Sequence, residues 1–180
     1  ARALTIHRTG CYGYLMTRLK VAFQGEPGAN SDIASRDVYP DCETIPCATF
    51  EDALAAVSNG DADLGMIPIE NSVAGRVADI HHLLPTSKLF IVGEWFLPIR
   101  HQLVAVPGAK LDDIKTVESH VHALGQCRKI IRKLGLKAIV TGDTAGSARE
   151  VSEWKDPTRA SLAPALAADI YDLQILAHDV

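Results

Sequence analysis

Short apolar runs alternate along most of the chain with segments whose apolar residues recur at helical spacing. Runs this short, bounded by Gly, Pro, Asn or Asp, are typical of buried strands. Thr49 and Asp52 form a capping-box pattern at the start of one helical segment. Alternating strands and helices predict an α/β fold whose sheet is mostly parallel. The predicted strands of the first half lie at residues 19–23, 44–48, 64–69, 89–99 and 101–106.

The same alternation restarts near residue 111 and predicts a second unit. Its last predicted helix carries Leu166 and Ile170 on the same face as Leu162, so we expect the tail to pack back onto the first unit. The predicted strands of this half lie at residues 116–119, 137–141, 160–162 and 173–177, and the predicted helices at 122–134 and 164–171.

Residues 1–18 differ from the rest of the chain. They contain Arg2, Arg8 and Arg18 but no acidic residue, and they show no apolar segment of signal-peptide length. We predict an N-terminal extension there, without a function of its own.

The composition is that of an ordinary globular protein of 180 residues, 47% apolar and 22% charged. A net charge of -4 and the lack of a long basic run argue against nucleic acid as a partner. No apolar stretch reaches the about 20 residues of a transmembrane helix, so no membrane partner is expected. The four cysteines form no Cys-x-x-Cys pair, which favours reduced thiols in a cytoplasmic protein.

Polar residues follow the predicted strand at 64–69 directly. Glu70, Asn71 and Ser72 stand in a row there, and Gly75 comes soon after. In an open α/β sheet the residues just past the carboxyl ends of strands line the ligand crevice. The alternative interpretation is an Asn-Ser turn that only caps the next helix.

Three other stretches carry groups suited to binding an anion. A glycine loop at residues 25–31 contains Gly28 and Asn30 and precedes a helix, where backbone N–H groups point outward. Hydroxyl and amide side chains also stand at the starts of two later helices, where the alternative role is helix capping. The candidates at those helix starts are Ser119, His120, Gln126, Thr144, Ala145, Gly146 and Ser147. His120 and His122 have no suitable neighbouring ligands in the sequence, so no metal is expected.

Taken together, the stretches at residues 25–31, 65–75, 119–127, 143–149 and 160–176 resemble the catalytic domain of prephenate dehydratases. The most specific of them is Ile-Glu-Asn-Ser at positions 69–72 with the following glycine. The resemblance implies a two-lobed, periplasmic-binding-protein-like fold of type II. Each lobe is then a small, mostly parallel sheet flanked by helices, with the substrate in the cleft between them. Lobe 1 is expected at about residues 19–98 plus 164–180, and lobe 2 at about 99–163.

The resemblance also implies an activity. Prephenate dehydratases are hydro-lyases that convert prephenate to phenylpyruvate, water and carbon dioxide in phenylalanine biosynthesis, without cofactor or metal. Glu70 is expected to orient the substrate. The substrate-binding residues are expected to be Gly28, Asn30, Asn71, Ser72, Ser119, His120, Gln126, Thr144, Ala145, Gly146 and Ser147.

The family's catalytic threonine belongs to a Thr-Arg-Phe motif that would follow Val180. By resemblance the full-length protein is expected to continue into a regulatory ACT domain that senses phenylalanine, and to form a homodimer or larger homo-oligomer. Two alternatives stay open. The enzyme could act on arogenate instead, or the chain could be a cytoplasmic two-lobed binding module for a small anion, because fold alone does not fix function.

Overall fold

The computed structural model describes residues 1–8 and 18–180, which form two compact units. The first unit comprises residues 1–25 and 30–98, and the second comprises residues 26–29 and 99–180. Each unit has one sheet flanked by helices, so the predicted α/β class is confirmed. No helix within the described residues has the length and apolar character needed to cross a membrane.

In the part of the first unit that the structure describes there are six strands and three α-helices. Most lie where the hydrophobic pattern predicts them, and the capping box of Thr49 and Asp52 is present at the start of the second helix. The strands are β1 (Arg2–His7), β2 (Lys20–Gln24), β3 (Glu43–Cys47), β4 (Leu64–Asn71), β5 (Gly75–Arg76) and β6 (Phe90–Phe96), and the helices are α1 (Asn30–Val38), α2 (Phe50–Asn59) and α3 (Ala78–Leu83).

The first sheet has the strand order β3-β2-β4-β1-β6, with β5 paired to the end of β4. Strands β2, β3 and β4 are parallel, whereas β1 runs antiparallel to both of its neighbours. The sheet is therefore mixed, and the prediction of a mostly parallel sheet is wrong here. The reason is that one strand enters from outside the alternating strand–helix pattern.

That strand is β1, so the prediction that residues 1–18 are an extension is wrong for residues 2–7. Ala3, Leu4, Thr5 and Ile6 are buried between β4 and β6. Leu4 and Ile6 pack into the first core, which fixes the position of this segment. Their neighbours there include Leu54, Val57 and Ile67. The remainder of the predicted extension at 9–17 lies outside the described residues.

The second unit contains five strands and four α-helices. The predicted helix at 122–134 is divided in two at Cys127, whose backbone departs from helical geometry with φ -92 and ψ 12. The strands are β7 (Gln102–Ala105), β8 (Thr116–Ser119), β9 (Lys137–Val140), β10 (Arg159–Ala163) and β11 (Gln174–Ala177), and the helices are α4 (Val121–Gln126), α5 (Arg128–Lys133), α6 (Thr144–Trp154) and α7 (Ala165–Ile170).

The second sheet has the order β11-β7-β10-β8-β9. Strands β8, β9 and β10 are parallel, while β7 pairs antiparallel with β10 and β11. This sheet is also mixed. The prediction that residues 164–180 belong to the first lobe is wrong, because β11 completes the second sheet and the alanines of α7 lie in the second core.

Candidate functional site

The parallel strands of the second sheet bring several predicted residues to one edge. Strand β8 ends at Ser119, β9 at Val140 and β10 at Ala163, and each strand is followed by a loop and a helix. The backbone N–H of Thr141 donates to the carbonyl oxygen of Ser119 at 3.0 Å, which holds the first two ends together. Since the carboxyl ends of parallel strands meet at the same edge, the starts of α4 and α6 share it.

Ser119 is fully buried at this edge. Its hydroxyl donates a hydrogen bond to the backbone oxygen of Leu162 at 2.6 Å. A hydroxyl carries one proton, so this one has none left to donate to a substrate. We assign the Ser119 side chain to holding β8 and β10 together.

His120 is the N-cap of α4, and its Nδ1 accepts a hydrogen bond from the backbone N–H of His122 at 3.4 Å. The two imidazole rings lie 5.0 Å apart. Burial and the neighbouring His122 lower the pKa of His120 below its ordinary value, although the Asp143 carboxylate acts in the opposite direction. His120 is therefore neutral at neutral pH and contributes a polar ring rather than a cation.

Gln126 lies at the end of α4 and is engaged inside the unit. Its Oε1 is 3.2 Å from Nε2 of His101, a buried residue whose Nδ1 has no partner among the described residues. Burial lowers the pKa of His101, and the hydrogen bond to Gln126 only partly offsets this effect. A neutral His101 thus donates from Nε2, which leaves the amide N–H groups of Gln126 as its remaining donors.

The first turn of α6 uses two of its predicted site residues internally. Asp143 is the N-cap, and its Oδ1 accepts from the backbone N–H of Gly146 at 2.6 Å. The hydroxyl of Ser147 donates to the carbonyl oxygen of Asp143 at 2.7 Å and also contacts the Thr141 hydroxyl. Gly146 and Ser147 are both buried, so they stabilise the turn rather than face solvent.

Thr144 is half-buried and Ala145 is fully buried, and both retain donors in the same turn that have no partner among the described residues. The first N–H groups of a helix have no partner within the helix. Nothing in residues 1–8 or 18–180 accepts a hydrogen bond from these two N–H groups or from the half-buried hydroxyl of Thr144. The positive end of the helix dipole lies here, which favours a bound carboxylate.

The glycine loop before α1 is divided between the units, with residues 26–29 in the second and Asn30 at the first position of α1 in the first. Gly28 has φ +88, and a Cβ placed on it would lie 2.7 Å from Cα of Ala167. The hydroxyl of Tyr171 donates to the carbonyl oxygen of Pro27 at 3.0 Å. The requirement for glycine at position 28 is therefore explained by close packing against α7.

The remaining predicted residues lie at the end of β4 in the first unit. Oδ1 of Asn71 accepts from the backbone N–H groups of Val73 and Ala74 at 2.8 and 3.1 Å, which is the turn that the alternative interpretation describes. The amide nitrogen of Asn71 and the exposed hydroxyl of Ser72 remain as donors. Glu70 is also exposed and lies opposite Arg2 on β1 and Arg76 on β5.

A cavity of about 380 Å³ lies beside this strand end. Arg2 is a lining residue that the sequence interpretation missed, because residues 1–18 were predicted to be an extension. The signal was the short, mainly apolar run Ala-Leu-Thr-Ile at positions 3–6, which is typical of a buried strand. The cavity is lined by Ala1, Arg2, Glu70, Ser72, Phe96, Leu97 and Pro98.

Comparison with known proteins identifies the relationship. The family model described as prephenate dehydratase matches residues 21–180. A bifunctional N-acyl-homoserine lactone acylase/prephenate dehydratase of Komagataeibacter europaeus is 48% identical over 160 residues, which is 89% of this chain and 57% of that protein. Arogenate dehydratase/prephenate dehydratase 1 of Arabidopsis thaliana, a chloroplastic protein, is 42% identical over 91% of this chain and 42% of its own length.

A solved structure supports the same relationship. The crystal structure of prephenate dehydratase in complex with L-Phe from Arthrobacter aurescens has a TM-score of 0.83 and 34% identity to this chain. It covers 90% of this chain, and the matched part is 55% of that protein. The present chain thus spans about half the length of the relatives it matches. The chain belongs to the prephenate dehydratase family.

Proposed function

We propose that this chain binds prephenate and forms the substrate-binding part of an enzyme that converts it to phenylpyruvate, water and carbon dioxide. The observation that carries the proposal is the set of unused donors at the start of α6, within a chain whose family match covers residues 21–180. In this proposal a substrate carboxylate accepts from the Thr144 hydroxyl and from the N–H groups of Thr144 and Ala145.

The reaction sets the chemical requirements. The ring carboxylate leaves as carbon dioxide, its bonding electrons form a ring double bond, and the ring hydroxyl departs as water once it gains a proton. Aromatisation of the ring drives the step. A hydroxyl leaves poorly unless a positioned group donates that proton. Burial lowers the pKa of His120, so its ring is neutral and carries no imidazolium proton to donate, and the Asp143 carboxylate is engaged as a helix cap.

The proton donor is therefore proposed to lie outside the groups described above, in agreement with the Thr-Arg-Phe threonine that the family resemblance implies. Glu70 keeps its proposed role as an orienting group. We propose that the 180 residues bind prephenate but convert it slowly. Assays of phenylpyruvate formation should show faster turnover by a longer version that carries a Thr-Arg-Phe segment after Val180. Equal rates would place the proton donor within the 180 residues.

Binding tests the proposed carboxylate site directly. Calorimetric titration with prephenate should give a measurable affinity, which Thr144→Ala should weaken by about 1–3 kcal/mol, or roughly 5- to 150-fold. Thr86→Ala is the matched control, because the exposed hydroxyl of Thr86 donates to the backbone oxygen of Leu83 in the first unit. An affinity unchanged by Thr144→Ala would exclude this hydroxyl from the site.

A second candidate substrate, arogenate, is favoured by Asp143. Arogenate carries an ammonium group where prephenate carries a ketone. A carboxylate beside free backbone N–H groups matches the paired ammonium and carboxylate of an amino acid. Asp143→Asn removes the charge but keeps a good helix cap. If arogenate is the substrate, this change should weaken arogenate binding and leave prephenate binding equal or stronger. Equal effects on both ligands would count against arogenate.

A further inference from the structure

A buried histidine fixes the orientation of the Gln126 side chain in the second unit. His101 is 5% exposed and lies just before β7, and its Nε2 is 3.2 Å from Oε1 of Gln126 at the end of α4. The other ring nitrogen, Nδ1, is buried and has no hydrogen-bond partner among residues 1–8 and 18–180. A proton on Nδ1 would be a buried donor without an acceptor, which costs free energy, whereas a proton on Nε2 has an acceptor. His101 thus donates from Nε2, and Gln126 accepts through Oε1.

The backbone around the two residues holds them in place. The backbone N–H of Val180 donates to the carbonyl oxygen of His101 at 3.0 Å. The thiol of Cys127, the residue after Gln126, donates to the carbonyl oxygen of Val180 at 3.3 Å. Val180 is therefore bonded both to the histidine and to the neighbour of the glutamine. This arrangement limits the movement of His101 relative to Gln126, so their hydrogen bond is formed before a ligand arrives.

A fixed Gln126 offers only donors to a ligand. Its Oε1 is engaged by His101, and no described residue accepts a hydrogen bond from its amide nitrogen. That nitrogen carries two N–H donors and no acceptor. Gln126 is half-buried and lies at the end of the six-residue helix α4, which begins at the carboxyl edge of the second sheet. A helix of that length extends about 9 Å, so the amide lies close enough to this edge to reach a small ligand bound there.

We propose that the Gln126 amide donates to the keto oxygen in the side chain of prephenate, and that His101 is the positioning residue that makes this contact selective. The inference rests on the proposed function, in which the start of α6 holds a substrate carboxylate. Prephenate carries a ketone, which accepts, where arogenate carries an ammonium, which donates. An amide N–H facing an ammonium finds no acceptor, and a site built to form a hydrogen bond rejects the analogue that cannot form it. Gln126 therefore favours prephenate, whereas the Asp143 carboxylate favours arogenate.

Calorimetric titration of the wild type with prephenate and with arogenate tests the contact. Prephenate should bind more tightly by roughly 5- to 150-fold, the range expected when a buried donor loses its acceptor. Gln126→Glu replaces the N–H groups with a carboxylate oxygen, which accepts from an ammonium and repels a ketone, so the preference should reverse. Asn59→Asp is the matched control, because it makes the same chemical change at an exposed position on α2. A wild type that prefers arogenate, or a preference that Gln126→Glu leaves unchanged, would overturn the contact.

Two substitutions of His101 separate its positioning role from packing. His101→Leu removes the Nε2 donor and leaves the Gln126 amide free to rotate, so the preference for prephenate should fall toward equality. His101→Gln supplies an amide N–H in place of the imidazole N–H and should restore most of the preference. A circular dichroism melt establishes that both variants are folded. If His101→Leu kept the full preference, or if His101→Gln lost as much of it as His101→Leu, His101 would not be the positioning residue.

The tautomer of His101 tests the orientation of Gln126 without any ligand. Long-range proton–nitrogen NMR correlations distinguish a protonated ring nitrogen from a bare one, and the signals missing from His101→Gln identify His101 among the seven histidines. At neutral pH His101 should carry its proton on Nε2. A proton on Nδ1 would overturn the proposal, because Gln126 would then present its oxygen to the ligand. A wild type that binds neither ligand would overturn the proposed function instead, and the tautomer would still decide how Gln126 is oriented.

Discussion

The hydroxyl of Ser119 donates a hydrogen bond to the backbone oxygen of Leu162 at 2.6 Å, so a side chain at the end of β8 holds β10 in place. The residue lies within a sequence stretch that resembles a substrate-binding motif. Its side chain nevertheless acts inside the unit. The carboxyl edge on which α4 and α6 begin depends on this bond for its shape.

Ser119→Ala should lower the free energy of unfolding by about 1–3 kcal/mol, because the buried oxygen of Leu162 loses a donor. Prephenate affinity of the folded variant should change little. Urea denaturation and calorimetric titration measure the two effects separately. Ser72→Ala, at an exposed position, should stay within about 0.5 kcal/mol in stability. A stable Ser119→Ala variant with weakened binding would instead make Ser119 a direct ligand.

Gly28→Ala should destabilise the chain much more than Gly108→Ala. Both glycines have left-handed backbone conformations, with φ +88 and +86, so both substitutions cost about 1–2 kcal/mol in backbone strain. Only the substitution at Gly28 also causes a steric clash. Its new Cβ would lie 2.7 Å from Cα of Ala167, whereas no described atom lies within 4 Å of a Cβ at Gly108. Thermal unfolding of the two variants measures the difference. Equal losses would mean that the loop moves away from α7 without cost.

Arg159→Ala should cost about 3–5 kcal/mol of stability, because it leaves a fully buried carboxylate unpaired. Nε of Arg159 donates to Oε1 of Glu118 at 2.6 Å, and the guanidinium lies 3.6 Å from the centre of the Trp154 ring. Arg100→Ala is the control. Its ion pair with Asp179 is exposed on both sides, so water and salt screen it and its loss should change stability little. Denaturant titration measures both variants. Equal losses of stability in Arg159→Ala and Arg100→Ala would contradict the prediction that the buried pair with Glu118 contributes more.

Stability should fall as the pH drops below about 6.5, partly through His101. Burial lowers the pKa of His101 from its ordinary value of 6.5, so the unfolded chain takes up a proton at a pH where the folded chain does not. The stabilising contribution is complete above pH 6.5 and is lost as the pH falls. The loss should be smaller in His101→Gln than in the wild type, while His82→Gln, at an exposed position, should follow the wild type. If the free energy of unfolding fell with pH in the same way in all three proteins, His101 would not be a source of the pH dependence.

The hydrophobic pattern predicted most strands within a residue or two because most of the apolar runs are buried in one of two cores. Strand β6 is an exception, since its apolar side chains are exposed. It did not reveal which sheet the tail joins. The apolar face of α7 would suit either core, and only pairing of β11 with β7 decides between them. Strand β1 was missed although the run Ala-Leu-Thr-Ile marks it, because residues 1–18 contain arginines and no acidic residue and were therefore interpreted as an extension. Its partners in the sheet are also distant in sequence.

Part of the arrangement of the candidate site could be predicted from the sequence. The motifs place candidate groups after β8 and β9, and the parallel pairing of these strands brings both stretches to one edge of the second sheet. Which polar groups remain available was not predictable, because it depends on side-chain rotamers. Ser119 and Ser147 turn inward to backbone oxygens, whereas Thr144, one of the neighbouring motif residues, keeps its hydroxyl unused. Spacing along the chain is the same for a hydroxyl that caps a helix and for one that binds a ligand.

The central place of β1 has a consequence for how the chain folds during synthesis. Arg2 donates to Glu94, a partner 92 positions later, so the first sheet is completed only after β6 has been made. At a translation rate of about 5–20 residues per second, the newly made β1 waits roughly 5–20 s for that strand. Contacts so distant in sequence slow folding, because a long loop must close before they form. During that interval the edge of β1 that later pairs with β6 is open, and this is the period in which a chaperone would protect the chain most.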